Sequence, residues 1–229
     1  MHDVDARPEL ALSMAEGECR DGIVATYYFR AMHFDSHADV IKVIASLGHK
    51  VGYHYESLVA CRGDRAAAYD DFCRNLGRLR RLAEVRTACA HGSPASRWNS
   101  QDLFGAAPYG AKSYDIHALG IDYEPMMDTD FSRTLYLTDT GRRWDGYRVS
   151  VRDKVPAYQR KWQRDGLAFH STDDIIAALA EPRHPIHTVA LLVNTHPQRW
   201  VPFGADWMLE AVWQSTKNIA KWVMVKAKY

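Results

Sequence analysis

The sequence predicts an α/β protein in which helices alternate with parallel strands. Runs rich in β-branched and aromatic residues, such as IVATYYF at 23–29, alternate with segments whose apolar residues recur at helical spacing. The 229 residues contain no internal repeat, no low-complexity tract and no linker-like stretch. A chain of this length can bury one sizeable core, so we predict a single domain over residues 1–229.

The N-terminal half carries the clearest alternation. Pro8 suits the first position of a helix, and Gly22 and Gly48 each follow an apolar helical stripe as stop signals. Asp35 or Ser36 is a suitable cap for the second helix. In chain order we predict an extended start at 2–5, a helix at 8–20, a strand at 23–29, a second helix closed by Gly48, a strand at 50–54, a helix at 62–85 and a strand at 87–91.

The C-terminal half is less regular. Prolines and glycines break the pattern from residue 92 to about 130, and an irregular segment of this length is usually functional. Strands are predicted at 133–138 and 186–195, separated by a loop at 139–153 and a helix that begins at Ser171 or Thr172. A closing amphipathic helix is predicted at 205–226, where packing on the sheet is favoured over binding at a membrane surface.

Charge and cysteine content narrow the class of protein. The formal net charge of +1 argues against a broad nucleic-acid-binding surface. No apolar run approaches the length of a membrane span, and no signal-peptide pattern begins the chain. The four cysteines lack CxxC spacing, which is typical of reduced thiols. We therefore expect a cytoplasmic protein with no nucleic-acid partner and no transmembrane segment.

Acidic and histidine side chains come at the ends of several predicted strands. Asp3 and Asp5 share one face if the start of the chain is extended, and two such carboxylates can divide metal binding from proton transfer. His54 ends the strand at 50–54, and His196 follows the strand at 186–195. The carboxyl ends of parallel strands meet at one edge in α/β barrels, so we expect these side chains around one cleft.

Five short motifs in order carry a resemblance to a known family. HDVD at 2–5, ATYYF at 25–29, GHKVGYH at 48–54, HGSP at 91–94 and THPQRW at 195–200 together resemble the polysaccharide deacetylases, which are NodB-homology hydrolases of the carbohydrate esterase 4 type. The resemblance spans nearly the whole chain. It implies a deformed (β/α)7 barrel with the active site at the carboxyl ends of the strands, in agreement with the alternation of helices and strands.

The resemblance also implies roles for individual residues. Asp3 resembles the general base, Asp5 and His54 resemble metal ligands, and His196 resembles the general acid. Asp139, in DTGRRW at 139–144, matches the aspartate that orients the acid histidine. The family's two aspartates are adjacent, whereas Val4 separates them here, so the division of roles between Asp3 and Asp5 stays open. The other histidine of the GHKVGYH motif, His49, lies on the opposite face of an extended strand from His54 and is interpreted as structural.

Two positions depart from the family pattern. Leu58 stands where the family has its second metal-binding histidine, and leucine cannot bind a metal ion. We predict that His91 replaces it, with Glu56 or a water molecule as the alternatives, because a catalytic metal ion generally has three protein ligands. The chain also begins directly on the acidic motif, so either the first strand is short or the natural start lies upstream.

Taken together, these observations predict a metal-dependent enzyme, with zinc as the expected ion. The resemblance implies removal of an N-acyl group, such as acetyl, from an amino sugar during surface-polysaccharide biosynthesis, for example of O-antigen or capsule. The expected substrate is a small-molecule, lipid-linked or nucleotide-linked amino sugar. A catalytically inactive sugar-binding module is the alternative, motivated by Leu58. Amide hydrolysis on a non-sugar substrate is a third hypothesis, because function belongs to the site and not to the fold.

Overall fold

The computed structural model describes residues 1–106, 112–145, 150, 152–201, 204, 207, 208, 212 and 216. The chain divides into two compact units, Met1–Asp128 and Thr129–Tyr229, and each is described by itself. The assignment of the whole chain to one domain stays a prediction. Among the described residues, no helix is both long enough and apolar enough to cross a membrane.

The first unit contains a four-stranded parallel sheet. Strands β1 (His2–Val4), β2 (Thr26–Phe29), β3 (Lys50–Tyr55) and β4 (Ala88–Ala90) lie side by side in sequence order. The register aligns Asp3 with Tyr28, and Tyr28 with Gly52. It also aligns His54 with Cys89. Strand β2 is shorter than the strand predicted at 23–29, whereas β3 extends one residue past the predicted end at His54.

Helices of the first unit connect consecutive strands or follow them. They are α1 (Pro8–Arg20), α2 (Ala38–Ser46), α3 (Ser57–Ala60), α4 (Arg65–Arg80) and α5 (Pro125–Asp128). The helix predicted at 62–85 starts later because Arg62 and Gly63 both have positive φ, at 52° and 87°. Asp64 then caps α4 by accepting hydrogen bonds from the N–H groups of Ala66 and Ala67, both at 3.0 Å.

The two faces of this sheet have different chemistry because side chains alternate along each strand. One face carries large apolar and aromatic residues, including Tyr27, Phe29, Tyr53 and Tyr55, which form the core together with apolar residues of α1, α2 and α4. The opposite face carries polar and small side chains on every strand. The sheet therefore buries one face in a hydrophobic core and presents the residues predicted to be functional on the other.

The second unit is built around two parallel strands, β5 (Thr134–Thr138) and β6 (Ala190–Asn194). A 3₁₀ helix at Pro185–Thr188 delays the strand predicted from residue 186. Helix α7 (Thr172–Ala180) begins as predicted, with a capping box between Ser171 and Asp174. Helix α6 (Pro156–Arg164) was not predicted. The predicted closing helix at 205–226 lies outside the described residues apart from isolated positions.

The predicted α/β class with parallel strands is confirmed by these two sheets. The deformed (β/α)7 barrel is not confirmed, since the described parts of the chain form a sheet of four strands and a sheet of two, with no closed barrel.

Candidate metal centre and proton-transfer pair

The polar face of the first sheet has a floor made by Tyr28, Gly52 and Thr87. The Tyr28 ring lies across β3, and its hydroxyl is 2.7 Å from the Thr87 hydroxyl. Gly52 makes this crossing possible, because a Cβ atom at this position would lie 2.4 Å from two carbons of the Tyr28 ring. The side chains of His54 and Cys89 come two residues further along β3 and β4, toward the carboxyl ends of the strands.

His54 occupies the centre of the polar face and is buried. Its Nδ1 donates a hydrogen bond to the Cys89 carbonyl oxygen at 2.9 Å, so the neutral ring presents its lone pair at Nε2. This Nε2 atom lies 3.4 Å from Asp5 Oδ1 and 3.9 Å from Asp3 Oδ2. A tight turn, in which the Asp5 N–H donates to the Asp3 carbonyl at 3.1 Å, lets both carboxylates approach the same imidazole.

The electrostatic surroundings of His54 favour the protonated form of its imidazole. Burial alone would lower the pKa of this imidazole, but the neighbouring carboxylates Asp3 and Asp5 outweigh burial and raise the pKa to about 9. The same two carboxylates would also attract a divalent metal ion. His54 would bind such an ion only as the neutral imidazole, because the protonated ring has no free lone pair.

His91 follows β4 and completes a group of three candidate ligands. Its Nε2 lies 3.6 Å from Asp5 Oδ1, while its Nδ1 lies 3.1 Å from Glu56 Oε2. Arg30 holds Glu56 through two hydrogen bonds of 2.8 and 2.9 Å. Burial opposes ionisation of Glu56, but His91 and Arg30 outweigh it and lower the pKa of Glu56 to about 2. A carboxylate that fixes the ring orientation of a ligating histidine is common around protein metal ions.

The chemistry of these side chains fits a divalent metal ion. One ligand atom from each of Asp5, His54 and His91 lies within 4.8 Å of the other two. Two imidazole nitrogens with one carboxylate oxygen form a usual ligand set of catalytic zinc, which leaves a position for water. Metal binding by these residues stays a prediction.

Other residues near the predicted site have different places. Leu58 is buried and belongs to the hydrophobic core, which agrees with its exclusion as a ligand. Glu56 contacts Arg30 and His91, so its geometry favours a supporting role over direct ligation. Burial and two hydrogen bonds, with the Ala25 N–H and the Ala15 carbonyl oxygen, confirm the structural interpretation of His49.

The second unit brings Asp139 and His196 together at the ends of its two strands. Asp139 follows β5, and His196 comes two residues after β6. The His196 Nδ1 lies 2.6 Å from Asp139 Oδ1, and the His196 backbone N–H donates to Asp139 Oδ2 at 3.1 Å. Arg199 Nη1, which can only donate, also lies 2.7 Å from Nδ1, but the shorter contact is with a carboxylate that can only accept. We therefore assign the proton to Nδ1, and Nε2 is the nitrogen that can exchange one.

Sequence reasoning missed two residues that hold this pair. Arg199 Nη1 donates to Asp139 Oδ1 at 2.7 Å, and Trp200 Nε1 donates to Asp139 Oδ2 at 2.9 Å. Burial alone would raise the pKa of Asp139, but His196 and Arg199 outweigh it and hold that pKa well below its usual range. Asp139 is therefore a permanent carboxylate. Both residues belong to the THPQRW motif, so their closeness to His196 in the sequence could have marked them as its neighbours.

Comparisons with known proteins give a limited result. No family model matches the chain, and no curated protein matches it. Among solved structures, the chain is similar to the crystal structure of a BA3943 mutant, a CE4 family pseudoenzyme, with 12% sequence identity and a TM-score of 0.41. The match covers 96% of this chain and 60% of that one, so the chain spans about three fifths of that protein's length. The family therefore remains a resemblance in the sequence motifs.

Proposed function

We propose that the chain is a metal-dependent amidohydrolase that removes an N-acyl group, such as acetyl, from an amino sugar. The observation that carries this proposal is the convergence of Asp5, His54 and His91, with Asp3 beside them, at the carboxyl ends of parallel strands. Amide hydrolysis needs an activated water molecule, a base and an acid for the departing amine. The described residues offer a candidate for each requirement.

We assign the metal ligands and the general base to residues of the first unit. Asp5, His54 and His91 would hold a divalent ion, proposed to be zinc, which when bound lowers the pKa of a water molecule and polarises the acyl carbonyl. Asp3 would accept the proton of that water. The distances to His54 Nε2 support this division of roles, because the Asp5 oxygen lies 3.4 Å from that atom and the Asp3 oxygen lies further away, at 3.9 Å.

His196 would supply the proton of the departing amine. An amine anion is a very poor leaving group, so the C–N bond breaks only when the nitrogen receives a proton. Asp139 fixes the His196 ring with Nδ1 protonated, which leaves Nε2 to deliver and regain a proton. Arg199 and Trp200 would act as positioning residues, because they bond to Asp139 and not to the imidazole nitrogen that exchanges the proton.

An amino-sugar substrate is supported by the motifs and by one aromatic side chain. Trp200 is 48% exposed while its indole N–H donates to Asp139, so a flat apolar side chain is held next to the proposed acid pair. Such surfaces suit the apolar faces of sugar rings. We propose a lipid-linked or nucleotide-linked amino sugar of surface-polysaccharide biosynthesis, processed in the cytoplasm.

Metal content tests the ligand assignment. Zinc bound per chain is measured after dialysis for wild type, His91→Ala, Glu56→Gln and, as a control, His187→Ala, whose side chain is exposed and belongs to neither candidate group of ligands. We expect His91→Ala to lose the ion and Glu56→Gln to bind it about 10–100-fold more weakly, because the second variant only loosens the ring. Full zinc content in His91→Ala contradicts the assignment.

Acetate release from a panel of N-acetylated amino sugars tests the activity. His196→Ala is expected to lose about 10²–10⁴-fold in turnover and to keep its metal content and its fold. Near wild-type turnover in this variant would show that His196 is not the acid. Asp3→Asn is expected to lose turnover in the same assay while it keeps the ion.

An inactive sugar-binding module is the second candidate, favoured by Leu58 at the usual ligand position. The same measurements separate the two functions. A wild-type protein that binds amino sugars, contains no metal and releases no acetate would favour the module. Zinc-dependent acetate release would favour the enzyme.

A further inference from the structure

We infer that Cys89 forms a second metal-binding set together with Asp3 and His54, and that this set takes a thiophilic divalent ion such as Cd²⁺. One ligand atom from each of the three residues lies within 4.8 Å of the other two, and all three side chains are buried. No sequence motif pointed to Cys89.

Strand register explains why the cysteine reaches this position. Cys89 on β4 is the direct partner of His54 on β3, so both side chains project from the same face of the sheet. His91 lies on that face as well, two residues further along the chain, and Ala90 between them points away. The sheet therefore stacks two ligand sets: Asp3, His54 and Cys89 nearer the Tyr28 floor, and Asp5, His54 and His91 above it.

The two sets differ in the ions that they prefer. A carboxylate with two imidazoles suits zinc and other borderline ions, whereas a thiolate shifts preference toward soft ions. On binding, the Cys89 thiol would lose its proton to solvent and the thiolate sulfur would bond to the ion. No oxidation or reduction accompanies this step.

The sets exclude each other because both need the same nitrogen. His54 Nδ1 is occupied by the Cys89 carbonyl, so only Nε2 can bind an ion. An ion bound to Cys89 therefore also occupies His54, which the set of Asp5, His54 and His91 needs, and it occupies Asp3 as well. If the proposed function is right, such an ion inhibits the enzyme, since it removes the base and one ligand of the catalytic metal together.

Absorption spectroscopy of the metal-free full chain, titrated with Co²⁺ and separately with Cd²⁺ under anaerobic conditions, tests the inference. We expect the ultraviolet thiolate-to-metal charge-transfer band with Cd²⁺ in wild type and with both ions in His91→Ala, which lacks the competing ligand set. Cys89→Ser should lose the band, and Cys61→Ser is the matched control that should keep it, because Cys61 belongs to neither ligand set. Circular dichroism confirms that each variant is folded.

Wild-type protein that binds Cd²⁺ without the band overturns the inference, as does a band that survives in Cys89→Ser. A measurement on the unmodified sequence accompanies the variants: Cd²⁺ should slow alkylation of Cys89, followed by peptide mapping, at least tenfold relative to Cys19. An unchanged alkylation rate also counts against the inference. Loss of the band in Cys89→Ser reports the thiolate ligand and acetate release reports the hydrolase, so either proposal can fail without the other.

Discussion

Replacement of Gly52 by alanine should disrupt the floor of the candidate metal centre. The added Cβ would lie 2.4 Å from two carbons of the Tyr28 ring and 3.2 Å from a methyl carbon of Thr87. Carbon atoms in contact normally lie about 3.5–4.0 Å apart, so the ring has to move by roughly 1 Å or more. That movement would break the 2.7 Å hydrogen bond between the hydroxyls of Tyr28 and Thr87.

The cost is the sum of two effects. Overpacking of a well-filled interior typically costs about 1–3 kcal/mol. The lost hydrogen bond between two buried hydroxyls adds about 1 kcal/mol. We therefore expect Gly52→Ala to lower the free energy of unfolding by about 2–4 kcal/mol, and Tyr28→Phe, which removes only the hydrogen bond, to lower it by about 1 kcal/mol.

Urea unfolding of the two variants, compared with Gly77→Ala, measures these differences. Gly77 is exposed on α4 with nothing within 4 Å of an added Cβ, so alanine there should stabilise the protein by up to about 1 kcal/mol. A cost below about 0.5 kcal/mol for Gly52→Ala, or a cost no larger than that of Tyr28→Phe, would refute the steric reasoning.

Two further predictions concern stability. Burial raises the pKa of Glu124 from 4.5 to about 7 against three backbone N–H donors, so the folded state binds the extra proton between these pH values. The free energy of unfolding should then fall by up to about 3 kcal/mol as the pH rises from 4.5 to 7, and this slope should be absent in Glu124→Gln; equal slopes in both proteins would contradict the reasoning. Ser171→Ala should cost about 1 kcal/mol in thermal unfolding because it removes the cap of α7, whereas an unchanged midpoint would mean that the cap contributes nothing.

Local features of the fold could be predicted from the sequence by itself. Pro8 at the first position and Gly22 beyond the end set the bounds of α1, and the serine cap set the start of α7. The period of two along a strand correctly separated His49 from His54. These features depend on neighbouring residues only, so a short window of sequence contains the information they need.

Tertiary structure decided which of the candidate residues meet. The sequence predicted His91 as a ligand together with Asp5. It did not predict the hydrogen bonds of Arg30 with Glu56, because these residues are 26 positions apart in the chain. The place of Cys89 beside His54 depends on the pairing of β3 with β4. Such contacts follow from strand order, register and chain reversals, which a sequence window does not contain because distant segments set them jointly.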